Sequence, residues 1–215
     1  MKGFLMSAAR ALPFLLVVAG LSASCHQKPA RHTQAAVAAT GFAYTDPTET
    51  GWRLLRNPAS TSTRLVLDLV GPSGLQSRGV GFNLQGPPGV TFDAFDDGLP
   101  LKDLGVYQLH RSGAPVPSEP VALMGGVKPG NLLSVGIFQK DRAQGARDSG
   151  VALCQIALLF DASAKLVAGS PIPLSVVKAR MIPEDIGATT DPLWLLAQKM
   201  QMPDIAIALG TLTAR

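Results

Sequence analysis

From Gly41 onward the apolar residues recur at every second position in short runs, and that period decides what the chain can become. In "RLVLDLV", Leu65, Leu67 and Leu69 share one side of an extended backbone. In "GVGFNLQ", Val80, Phe82 and Leu84 share one face, while Gly81, Asn83 and Gln85 take the other. "GVYQLH", "VALMGGV", "NLLSVGIFQ", "VALCQIALLF", "IPLSVVKARMI" and "DIAIALGTLTA" extend the series, with clusters of Gly, Pro, Asn, Asp and Ser between them. The 17 prolines and 22 glycines suit such a chain, because its many turns need the backbone angles these residues supply. So many strands in one domain-sized segment, residues 41–215, mean two stacked sheets or a barrel, and a single all-β domain built as a β-sandwich is the expectation. One short helix is expected before the last strand, over "DPLWLLAQKM". There Asp191 caps, Pro192 suits the first turn, and Leu193, Leu196 and Met200 fall on one helical face.

Residues 1–24 have a different character. Lys2 and Arg10 give a basic start, "ALPFLLVVAGL" follows as a short apolar run, and Ser22, Ala23 and Ser24 are small. This is the order of an export signal, and the run falls well short of the roughly 18 apolar residues of a membrane span. The next residue is Cys25. "LSASC" resembles the lipobox of bacterial lipoproteins, with Leu21 one residue further from the cysteine than usual and Ser22 in the customary leucine position. The resemblance implies that Cys25 becomes the mature N-terminus, with diacylglycerol on its sulfur and a further acyl chain on its amine. More than one chain makes anchoring stable, since each buried methylene contributes about 0.8 kcal/mol. The partner so implied is a membrane. His26 in place of aspartate implies the outer membrane of a Gram-negative envelope. Cleavage after Ser24 by an ordinary signal peptidase, with Ser22 and Ser24 as the small pair, is the alternative.

Residues 25–40 carry Ala, Gln, Thr and His with little apolar patterning and read as a flexible tether. The formal charge of +4 includes Lys2 and Arg10, so the mature chain is nearly neutral, which excludes a nucleic-acid-binding charge balance.

The second cysteine, Cys154, alternates with Ile156, Leu158 and Phe160, so on a strand it is a small buried hydrophobe. A disulfide with Cys25 is the rival in an oxidising compartment, and it would require the tether to enter that core. His26, His32 and His110 are scattered and neither cysteine has ligand spacing, so no zinc motif, metal or cofactor is expected.

The densest acidic stretch, "FDAFDDGLPLKD", places Asp93, Asp96, Asp97 and Asp103 near one another, but Phe95 and Leu104 occupy positions where an EF-hand needs oxygen ligands. A solvated turn on Asp97 and Gly98 is expected instead. His110 has no G-x-S-x-G nucleophile elbow to serve, and "SVVK", Ser175 to Lys178, formally matches S-x-x-K without the helical turn that motif needs. On a regular strand its two ends point to opposite faces. Tyr44 and Trp52 lie in a turn-rich segment and are the candidate ligand-binding aromatics, the competing role being closure of the core. "QKDRAQGARDSG", Gln139 to Gly150, is expected to be an exposed, charged connection.

The arc from "GVGFNLQGPPGVTF" through "PGNLLSVGIFQ" to "CQIALLFDASAKLVAGSPIPLSVVKARMI" resembles bacterial cohesin-type and related carbohydrate-binding sandwiches over about residues 78–182. The resemblance implies a flattened jelly roll, one face of which binds a dockerin or other ligand, and carries over no specific binding residue. The expected function is a non-enzymatic, lipid-anchored envelope module that binds a protein or glycan. A structural accessory lipoprotein of a pilus or secretion assembly is the alternative, and a hydrolase with an unrecognised site is a third.

Overall fold

The period-two runs become strands. A computed structural model describes residues 36–93, 109–110, 121–139, 146–184 and 202–215. In chain order the strands are β1 (Phe42–Thr45), β2 (Trp52–Arg56), β3 (Arg64–Val70), β4 (Gln76–Gln85), β5 (Val90–Asp93), β6 (Leu109–His110) and β7 (Val121–Lys128). They continue with β8 (Leu132–Gln139), β9 (Arg147–Asp148), β10 (Ala152–Phe160), β11 (Ser175–Pro183), β12 (Ile207–Ala208) and β13 (Thr211–Ala214). The first sheet has the order β12-β2-β3-β10-β5, with β6 also on β10. The second has the order β11-β4-β8-β7, with β9 also on β4, and β1 pairs with β13. The pairing of β12 with β2 is parallel, and the other ladders are antiparallel.

The two main sheets close on one core, as the alternation predicts. Leu54, Leu65, Leu67, Leu69, Ile156 and Leu158 of the first sheet join Val80, Phe82, Leu84, Leu133, Val135 and Ile137 of the second in a single buried cluster. Fully burying each such side chain contributes about 1.5–3 kcal/mol, which offsets the entropy of ordering the strands. The molecule is an all-β sandwich. Among the described residues the helical content is one 3-10 turn, Ala162–Ala164, and the helix expected over Asp191–Met200 lies outside them.

The folded part begins earlier than residue 41. Ala38 bridges Val167, Ala39 is buried and donates its N–H to Leu166 O at 2.8 Å, and Thr40 donates to Arg215 O at 2.6 Å. The composition of 36–40 is that of a linker, yet its backbone is paired to the C-terminal region, which composition alone does not register.

Two strands are continued after an insertion. Asp93 of β5 is opposite Ala157 and Leu109 of β6 is opposite Ile156, so β6 resumes the edge of β10 one position after β5 leaves it. Likewise Phe138 of β8 faces Gly79, and Arg147 of β9 faces Ser77 along the same edge of β4. The connection after Gln139 is therefore not wholly an exposed loop. Asp148 accepts from the N–H groups of Gly74 and Gly150 at 2.9 and 2.8 Å, and Ser149 is buried with its hydroxyl 2.8 Å from that of Ser77. Of the acidic stretch, Asp93 is held by Arg64 at 2.6 Å, and Asp96, Asp97 and Asp103 lie outside the described residues.

Candidate functional site

The aromatic candidates are absorbed by the fold. Trp52 is 5% exposed, and its ring packs so close to Gly71 that a Cβ there would stand 3.0 Å from it. Tyr44 is half-buried, and its hydroxyl donates to Leu54 O at 2.8 Å and accepts from Gly210 N–H at 2.7 Å. Burial pushes the Tyr44 phenol up to about 12 against the lowering pull of the Gly210 N–H. Trp52 thus closes the core, and Tyr44 ties β2 to the chain before β13. Trp52 is not presented for stacking on a sugar, because a ring buried in a core has no face to offer.

Cys154 is fully buried as a free thiol, and burial raises its pKa to about 12, with the nearby Asp68 charge adding to the rise. A thiol so disposed is inert packing. Cys25 and the other residues from 1 to 35, where a signal and the start of a tether are expected, lie outside the described residues. The described residues contain no group of three or more His, Cys, Asp or Glu able to hold a metal ion.

The feature that stands out is the outer face of the second sheet. With Val80, Phe82 and Leu84 turned inward, β4 presents Gly81 and Asn83 outward. Across the ladder Gly81 faces Gly136 and Asn83 faces Ser134 on β8, and Gly126 of β7 faces Ser134 from the other side. Among the described residues, a Cβ added at Gly136 or Gly126 would meet nothing within 4 Å, and one at Gly81 would meet only Val135 O at 3.5 Å. Packing therefore does not demand these glycines. Their effect is a bare floor, and a strand-interior glycine often marks a place where another molecule comes close. The result is a trough of about 390 Å³ walled on the β11 side by Lys178, Arg180 and Ile182, with Met202 beside them.

A β-bulge builds that wall. Val176 pairs with Leu84 but Lys178 pairs with Asn83, so Val177 is an extra residue and is 62% exposed. Regular alternation from inward-facing Val176 would send Lys178 and Arg180 into the core. The bulge resets the phase, so Ala179 and Met181 pack inward and the two cations line the trough. It also corrects the expectation for "SVVK". Ser175 is opposite Gln85 and Lys178 opposite Asn83, so both are placed on the outer face, roughly 7 Å apart along the strand. Among the described residues no hydrogen bond joins the two side chains.

Electrostatically the trough offers donors. Arg180 Nε donates to Asp204 Oδ1 at 2.8 Å, and Lys178 is exposed with no ion pair among the described residues. Ser134 Oγ, beside this floor, is buried and has no hydrogen-bond partner among the described residues. The glycine side of β4 was visible in the sequence, but its match with Gly136 needed the register of β4 on β8. The cations needed the bulge, and no residue pattern announced either.

The fold and this face define an all-β sandwich whose second sheet carries Gly81, Gly126 and Gly136 on its outer side. Comparison with known protein families, with curated proteins and with solved structures finds no match to this chain.

Proposed function

We propose that this chain is a lipid-anchored, non-enzymatic binding module of the bacterial cell envelope. Cys25 is its acylated N-terminus, residues 26–35 are its spacer, and the outer face of β11-β4-β8-β7 is its ligand surface. The observation that carries the reading is the run of glycines at Gly81, Gly126 and Gly136, where added side chains would fit among the described residues. The lipobox resemblance at Cys25 supports the anchor and the outer-membrane location, and the cohesin-type resemblance supports a sandwich that binds through one face. A protein ligand is favoured by the mixed lining of the trough, where Asn83, Lys178 and Arg180 stand beside Ile182 and Met202.

Two measurements test this. The intact mass of the mature protein extracted with detergent from its own membranes should correspond to a start at Cys25 plus acyl chains, and an unmodified chain would overturn the anchor. A photo-crosslinking residue at position 136 should capture a partner in cells, whereas one at exposed Val151, distant in register, should not. Equal yields at both positions would remove the face from consideration.

A further inference from the structure

We infer that the partner is an acidic protein, selected by Lys178 and Arg180 through carboxylates on a convex ridge that enters the glycine trough. The inference rests on the outer face being the binding surface and adds the chemistry of what it binds.

Charge is the first argument. Lys178 and Arg180 stand two positions apart on one face of β11, opposite Asn83 and Gly81, so two like charges share a wall of the trough. Like charges held so close repel. The carboxylate set against them is Asp204, which engages only Nε of Arg180 and is itself largely exposed. The terminal guanidinium nitrogens and the Lys178 ammonium have no partner among the described residues. An arriving carboxylate would relieve the repulsion and satisfy those donors, with the Arg180 fork suited to holding it by two bonds.

Backbone geometry is the second. The bulge at Val177 interrupts the ladder between β11 and β4, and its consequence is that both cations leave the core side and face the trough. The floor then governs how the partner approaches. The main-chain groups of β4 and β8 are committed to one another in an unbroken register from Gly79 to Gln85, so they offer a ligand nothing to bond. A partner must bring its acceptors to side chains, and must satisfy its own backbone. An α-helix does both, since its amides pair internally and its side chains project as a ridge. With no side chain at Gly81 or Gly136, such a ridge can descend far enough for its carboxylates to meet Lys178 and Arg180.

The test uses the full mature chain in detergent and two labelled alanine-based helical peptides, one bearing glutamates along one face and one bearing lysines there. Fluorescence anisotropy should show the glutamate peptide binding at least about tenfold more tightly than the lysine peptide, with the preference weakening as salt is raised. The double variant Lys178→Glu/Arg180→Glu should reverse the preference, and Gly136→Val should weaken binding of the glutamate peptide, each still unfolding cooperatively as the check on folding. Loss of binding in Gly136→Val with the preference intact in the double variant would keep the face and overturn the acidic partner. If neither variant alters binding, both the face and its selectivity fall. Tighter binding of polygalacturonate than of the glutamate peptide, lost in the double variant, would replace the protein partner with an acidic glycan and overturn the inference in that form.

Discussion

Gly81 of β4 and Gly136 of β8 stand directly opposite each other in the ladder, and among the described residues nothing comes closer than 3.5 Å to where a Cβ on either would lie. Neither has the positive φ that would make glycine obligatory. Glycine costs a strand conformational entropy and packing, so the pair is a stability deficit with no structural need behind it. Gly136→Ala is expected to raise stability by about 0.4–1 kcal/mol, chiefly by restricting the unfolded chain. Urea unfolding measures it, and a loss of stability would mean that the space at Gly136 is filled.

The Val177 bulge should tolerate deletion as well as substitution, because the residues on either side of it already stand in register. Val176 lies opposite Leu84 and Lys178 opposite Asn83, so removing Val177 joins two residues that pair with neighbouring positions of β4 and keeps Ala179 inward and Lys178 and Arg180 outward. The deletion variant is expected to unfold cooperatively, and Val177→Thr, at an exposed position, should stay within about 0.5 kcal/mol of the parent. Loss of cooperative unfolding on deletion, measured in urea, would mean that the extra residue does more than set the phase of β11.

Tyr44 and Cys154 make stability fall in alkali. Both have folded-state pKa values raised, to about 12 from ordinary values of 10.0 and 9.0. Their stabilising contribution is therefore complete below about pH 9. Above it the unfolded chain releases protons that the native state retains, so stability declines as pH rises toward 12. Thermal midpoints across pH 7–11 should drop progressively, Cys154→Ala should remove the part that begins near pH 9, and Tyr44→Phe the part that begins near pH 10. Flat midpoints up to pH 11 would refute the shifts.

Asn131 holds the turn between β7 and β8 in two separable ways. Its φ is 59°, in the left-handed region, and its side-chain amide donates to Gly86 O at 3.0 Å and Val90 O at 2.8 Å. Asn131→Gly keeps the backbone freedom and loses the two bonds. Asn131→Ala loses both features, and leaves two carbonyls to find other partners. Alanine should cost about 1–3 kcal/mol and glycine less. The reverse order in denaturant midpoints would mean that the backbone angle contributes nothing.

The β character, the two-layer core and most of its members follow from the local pattern, because a period of two forces Leu65, Leu67 and Leu69 to one side of any extended chain and Val80, Phe82 and Leu84 to one side of another. Cys154 could be assigned to the core on the same ground. Trp52 was harder, since a large aromatic in a turn-rich segment suits a binding rim or a core edge equally well until its neighbours are known. The folded status of Ala38 and Ala39 was hidden because it depends on backbone pairing with Leu166 and Val167, more than a hundred residues away.

The sequence by itself determined which residues must share a face, since that depends only on neighbours along the chain. Only the tertiary structure decided which faces meet. The juxtaposition of Gly81 with Gly136 is a matter of register between strands some fifty residues apart in sequence, and the outward turn of Lys178 and Arg180 depends on one extra residue that pairs with nothing in β4. A bulge costs little locally and is set by how the flanking side chains pack against the opposite sheet, so its position is a property of the assembled core.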